Sequence, residues 1–170
     1  MKLKGKKKLR SVVAEVVKEF GLEGAIFDER EWEYDRLTDK IKFTPFKDWT
    51  DKVFNEFVEI EFGLVNPDFF IISLLHEIGH YMTDDQFDTL DDLYFWGEKT
   101  DNLEKLNRAT TEEEKKALEF VYFRLGDEYA ATEWAVDFYK EHPQWVAETT
   151  KKVNKALHKF YKKNRFAEGV

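Results

Sequence analysis

Apolar and polar positions along this chain repeat with two different periods. From Ser11 to Phe20 the residues Val12, Val13, Val16, Val17 and Phe20 share one face at helical spacing, and Gly21 supplies a stop. Ala25 to Phe27 is a candidate short strand. Trp32 and Tyr34, then Ile41 and Phe43, alternate with charged residues on either side of Leu37-Thr38-Asp39-Lys40, which predicts a two-stranded hairpin. Helical spacing returns at Phe46, Trp49, Val53, Phe57 and Ile60, although Val58 to Phe62 also has strand character. Asn66-Pro67-Asp68 reads as the next helix start, with Asn66 as N-cap, Pro67 at the first helical position and Asp68 favourable to the macrodipole. Phe69, Phe70, Ile72, Leu74 and Leu75 make that helix apolar nearly all round, so it is buried. Thr110-Thr111-Glu112-Glu113-Glu114 opens one long helix running from about Glu112 to Lys140, and Gln144 to Tyr161 forms a last one. The sum is an α+β fold: a few strands beside a helix-rich core, with the apolar helix sandwiched between them.

Composition narrows the class. At 170 residues the chain is expected to form a single domain, 1–170, able to bury a core without staples. Sixteen phenylalanines and five tryptophans furnish large apolar surfaces for that core. Cysteine is absent, which excludes a disulfide framework and is consistent with a reducing cytoplasm. Met1 to Arg10 is a basic N-terminal tail, but the segment after it carries Glu15, Lys18 and Glu19 where a secretory signal needs an unbroken apolar centre. No run approaches the length of a membrane span, so a cytoplasmic protein with no membrane partner is expected. The net charge is −8, yet lysines and arginines crowd the tail and the last helix from Lys151 to Arg165. Solvated, solubilising faces explain that distribution, since no nucleic-acid-binding motif accompanies it.

Candidate chemistry sits on the buried helix, in Leu74-Leu75-His76-Glu77-Ile78-Gly79-His80. Four residues make close to one helical turn, so His76 and His80 stack on one face and can point two imidazoles at one metal ion. Glu77 lies one step round the helix, where its carboxylate can take a proton from water activated by that metal. Zinc lowers the pKa of water it binds from about 15.7 toward 7. A catalytic zinc also needs a third protein ligand. The other two histidines are His142 and His158, and the long helix after Thr111 is the better source. At about 100° per residue, Leu118, Val121, Leu125, Glu128, Thr132, Val136 and Tyr139 share one side of it. Phe120, Phe123, Asp127, Ala131, Trp134 and Phe138 share another, while Glu119, Gly126, Glu133, Asp137 and Lys140 fill the polar sector. Glu128 is therefore a carboxylate inside an apolar stripe, with Asp127 in reserve and Glu133 facing solvent. The plainer reading of Glu128 is a buried glutamate salt-bridged to a lysine or arginine.

His76-Glu77-Ile78-Gly79-His80-Tyr81, followed by Glu128-Tyr129-Ala130-Ala131-Thr132-Glu133-Trp134-Ala135, resembles the ImmA/IrrE family of zinc metallopeptidases. That family's pattern is H-E-[apolar]-G-H, then E-x-x-A-x-x-F-A on a later helix, here with Trp134 for the phenylalanine. The resemblance covers about Asp68 to Tyr139. It implies a zincin-like domain with a small sheet or hairpin beside the active-site helix. It also implies one zinc bound by His76, His80 and Glu128, with Glu77 as catalytic base. The expected function is a zinc-dependent endopeptidase acting on an intracellular protein or peptide, in that family often a DNA-binding repressor. The alternative is a non-catalytic, zinc-stabilised binding module that contacts protein or nucleic acid through its basic ends. The chain departs from the pattern after Ala135, where Asp137-Phe138-Tyr139 replaces an apolar pair and proline. Its spacer from Asp84 to Thr111 is also long. The acidic, aromatic part of that spacer, Asp84 to Gly97, is expected to be a lid or substrate-contact loop and matches a calcium loop only loosely. The Trp32/Tyr34 hairpin is the candidate edge for holding an extended peptide, and is otherwise an ordinary structural hairpin.

Overall fold

The computed structural model describes residues 2–87 and 90–164, with the side chains of 90–95 left out. Met1 of the basic tail, Asp88 and Thr89 of the acidic spacer and Arg165 of the basic C-terminal run therefore lie outside the described residues. Helix α1 (Lys6–Lys18) buries Leu9, Val13, Val16 and Val17. It begins inside the segment expected to be a tail, because Leu9 extends the apolar face one turn toward the N-terminus. Three strands follow: β1 (Gly24–Phe27), β2 (Glu33–Asp35) and β3 (Lys40–Phe43). β3 lies in the middle, parallel to β1 with Ala25 opposite Ile41, and antiparallel to β2 with Tyr34 opposite Ile41. The expected hairpin is thus present. Its turn is fixed by Asp35, whose carboxylate accepts from the Leu37 amide and the Thr38 hydroxyl, while Asp39 takes a positive φ of 51°.

Helix α2 (Trp49–Phe62) opens on a reciprocal cap between Asp48 and Asp51, and stays helical through the segment that also had strand character. Its inward face is Val53, Phe54, Phe57 and Val58, leaving Ile60 exposed. Helix α3 (Phe69–Thr83) is capped by Asp68, which accepts from the Ile71 amide. Asn66 is not the cap. It holds a positive φ of 46°, so the chain turns there and Pro67 precedes the helix rather than starting it. Every residue from Phe70 to Gly79 is buried, as the all-round apolar pattern predicts.

A 3-10 turn (Asp84–Phe87) leads to α4 (Leu90–Arg108), so most of the expected loop is helix. Among its residues with described side chains, Lys99 and Asn102 are the buried ones, one turn apart. The long helix after Thr111 is also two helices, α5 (Glu112–Phe123) and α6 (Gly126–Glu141), broken at Arg124 and Leu125. The break resets the helical phase. In α5 Glu119 is buried and Val121 exposed, the reverse of the continuous-helix expectation. In α6 the expected faces hold: Glu128, Thr132 and Val136 are buried, and Glu133 and Asp137 are exposed. Helix α7 (Pro143–Asn164) packs Val153, Leu157 and Phe160 into the core beside α1. The result is an α+β fold, helix-rich with one small sheet, in which α3 runs between the sheet side and α6. No described helix is long and apolar enough to cross a membrane.

Candidate metal centre

The site forms where α3 crosses α6, and glycine sets how close the two helices come. A Cβ placed on Gly79 would lie 2.4 Å from the Ala131 carbonyl oxygen and 3.0 Å from its Cα. Only a residue without a side chain fits there. The close crossing lets side chains one turn apart on α3 meet one from the first turn of α6. His76 Nε2 lies 2.9 Å and His80 Nε2 3.1 Å from the same oxygen, Glu128 Oε2. One nitrogen from each histidine and a carboxylate oxygen of Glu128 all lie within 4.8 Å of one another.

Hydrogen bonding fixes which face of His76 is offered. The Thr132 hydroxyl donates to the Glu128 carbonyl at 2.9 Å, so its oxygen can only accept from His76 Nδ1, 3.0 Å away. With its proton on Nδ1, the neutral imidazole turns a lone pair at Nε2 toward the Glu128 carboxylate. Two lone pairs facing each other at 2.9 Å repel unless a proton or a metal ion lies between them. Two imidazoles and a carboxylate are a donor set suited to zinc, and the Thr132 contact is the outer hydrogen bond that metal-binding histidines usually make. The residues present therefore fit a metal ion.

The other oxygen of Glu128 has separate partners. Oε1 accepts from Lys99 Nζ at 2.6 Å and from the Tyr122 hydroxyl at 2.9 Å, and Lys99 also reaches Asp127 Oδ2 at 2.8 Å. Glu128 thus satisfies the plainer expectation too: it is both salt-bridged to a lysine and turned toward two histidines. Burial pushes its carboxyl up, but the charge and hydrogen bonds that His80 and His76 supply when protonated outweigh this and hold it well below the usual range. For Lys99, burial favours the neutral amine, and the adjacent Glu128 and Asp127 carboxylates reverse that and raise its pKa. Trp96 and Tyr122 present their rings to the ammonium, each centroid 5.3 Å away.

Glu77 is buried beside the ligand group, and burial first, then the Glu128 charge, pushes its carboxyl up to about 7 against the opposing pull of His76. The backbone of Tyr34 in β2, facing the carboxyl, opposes that rise only weakly. His76, Glu77, His80 and Glu128 all line one open cleft of about 810 Å³, walled by β2, by Phe54 of α2 and by Trp96 of α4. The outer strand β2 thus borders the site. Asp127 supports Lys99 rather than joining the histidines. His142 and His158 lie elsewhere: His142 ends α6 with Nδ1 donating to the Phe138 carbonyl, and His158 is exposed on α7. Neither tyrosine adjoining a ligand in sequence lines the cleft. Tyr81 donates to the Gly21 carbonyl at 3.4 Å, and the Tyr129 ring packs on Phe62. Thr132, Lys99 and Tyr122 complete the site without having been singled out as site residues from the sequence. The chain matches no protein-family model, no curated protein and no solved structure.

Proposed function

We propose that this chain is a zinc-dependent endopeptidase with a zincin-like active site of the ImmA/IrrE kind. The observation that carries the reading is the convergence of His76, His80 and Glu128 beside a buried glutamate, in an open cleft bordered by an edge strand. A zinc ion held there supplies Lewis acidity, which makes water acidic near neutral pH and polarises a peptide carbonyl. The chain's own residues do the rest. Glu77 accepts the proton of the attacking water and returns it to the departing amine. Thr132 keeps His76 in the tautomer that presents Nε2. The free edge of β2 can pair with an extended peptide backbone, and the walls of the cleft limit which side chains enter. The resemblance in sequence points to an intracellular protein substrate of the DNA-binding repressor class, and the absence of cysteine suits a cytoplasmic setting.

The test is hydrolysis of a mixed peptide library by zinc-loaded protein, with Glu77→Gln and chelator-treated protein as controls. Cleavage by the loaded chain that both controls abolish supports the peptidase. Zinc binding that raises the melting temperature, with no cleavage of peptides or of a cell extract, would favour the non-catalytic binding module instead.

A further inference from the structure

Helix α4 brings one charge to the centre that the ligand set alone does not require. Lys99 is only 9% exposed, and its ammonium is held between consecutive carboxylates in the first turn of α6, Asp127 at 2.8 Å and Glu128 at 2.6 Å. A buried ion pair stabilises a fold no better than well-packed apolar side chains would. The charge itself is thus the distinctive contribution of this side chain. Its placement on Glu128 is selective: Lys99 and Tyr122 take Oε1, and the two histidines face Oε2.

We propose that Lys99 is a positioning residue that, with Tyr122, occupies one oxygen of Glu128 so that the carboxylate offers a metal only the other. The role rests on the reading of His76, His80 and Glu128 as ligands. A carboxylate oxygen accepts about two hydrogen bonds, and Oε1 already has two donors, one of them cationic. Without them both oxygens of Glu128 face the ion, the glutamate becomes a two-oxygen ligand, and the position that water needs is taken. Asp127 then has its own function, which is to anchor the ammonium from the far side. Lys99 also leaves the buried group of Asp127, Glu128 and Glu77 one negative charge lighter.

Cobalt(II) reports this directly, because its visible absorption is stronger in four-coordinate than in five- or six-coordinate sites. The full-length chain is loaded with one equivalent of cobalt, and the same is done for Lys99→Met, for Lys99→Arg and for the charge-balanced Lys99→Met/Asp127→Asn. The wild type should show the strong four-coordinate spectrum. Both methionine variants should bind cobalt at one per chain with weaker absorption and slowed peptide hydrolysis, and Lys99→Arg should recover part of the wild-type spectrum. Should the methionine variants fail to fold, Tyr122→Phe removes one of the two donors and should weaken the spectrum in the same direction. Spectra identical to wild type in every variant that folds would overturn the role of Lys99 while leaving the metal centre standing. Failure of the wild type to bind cobalt or zinc would overturn the centre and this role with it.

Discussion

Replacing Gly79 with alanine probes the crossing on which the whole site depends. The added Cβ would sit 2.4 Å from the Ala131 carbonyl oxygen, where ordinary contact begins at 3.4 Å, so α3 and α6 must part by about 1 Å. Ala131 lies one turn from Glu128 on the same rigid helix, so the shift carries the carboxylate away from both histidines. Zinc tolerates ligand distances within about 0.2 Å of its usual 2.0–2.2 Å. An opening several times larger should lower metal affinity by at least about 100-fold, the upper end of what disturbing an outer hydrogen bond costs. The fold suffers less. Overpacking costs about 1–3 kcal/mol, and the better helix propensity of alanine returns about 1 kcal/mol. The net loss of roughly 0–2 kcal/mol corresponds to a fall in Tm of at most about 8 °C for a chain of this size. Competition with a chromophoric chelator measures the first quantity and thermal unfolding of the metal-free protein the second. Gly97→Ala is the control, because nothing among the described residues lies within 4 Å of its Cβ position. Wild-type zinc affinity in Gly79→Ala would refute the claim that this contact sets the ligand geometry.

Three further outcomes are expected. Glu128→Ala should lose most bound zinc while Glu133→Ala keeps it, as atomic absorption after dialysis will show; equal loss in both would contradict the facing of α6. Glu77→Gln should retain zinc and fold but slow peptide hydrolysis by about 10² to 10⁴-fold, and undiminished turnover would remove Glu77 as the base. Asp51 bears on pH dependence: burial, opposed by the Asp48 amide, pushes its carboxyl up to about 7 from an ordinary 3.8. Between those values the folded chain keeps a proton that the unfolded chain has released, so stability falls as pH rises through this window and levels off above it. Asp51→Asn should therefore be more stable than wild type at pH 8 by up to about 4 kcal/mol in urea unfolding, and by less at pH 5. A difference independent of pH would rule that linkage out.

The parts of this molecule legible in its sequence are those where one helix or strand carries the whole signal. The spacing of His76 and His80, the burial of α3 and the alternation at Tyr34 and Ile41 are properties of single segments, and each has its counterpart in the fold. Glu128 was separable from Glu133 because both lie on α6, downstream of the break. Upstream, the continuous wheel misplaced Glu119 and Val121. Gly126 marked the interruption, but the apolar residues on both sides concealed it. Lys99 was illegible for a different reason: a lone lysine in a charged helix looks like a surface residue until α4 lies against the first turn of α6. The same holds for Thr132, whose position in an apolar stripe says nothing of the hydrogen it gives to Glu128 and the one it takes from His76. Contacts between segments distant in sequence leave no periodic trace. Helix starts fail on a smaller scale, since Asn66 and Asp68 are both good caps and only the backbone conformation distinguishes them.

The most direct measurement is zinc X-ray absorption on the purified full-length chain carrying one equivalent of zinc, repeated on His80→Ala and Glu128→Ala. The predicted first shell is two imidazole nitrogens and light-atom oxygen donors at about 2.0–2.2 Å, with one imidazole lost in His80→Ala and the shell disrupted in Glu128→Ala. A wild-type chain that retains no zinc, or a shell of oxygen atoms unchanged by either substitution, would contradict the assignment of His76, His80 and Glu128 as a metal centre.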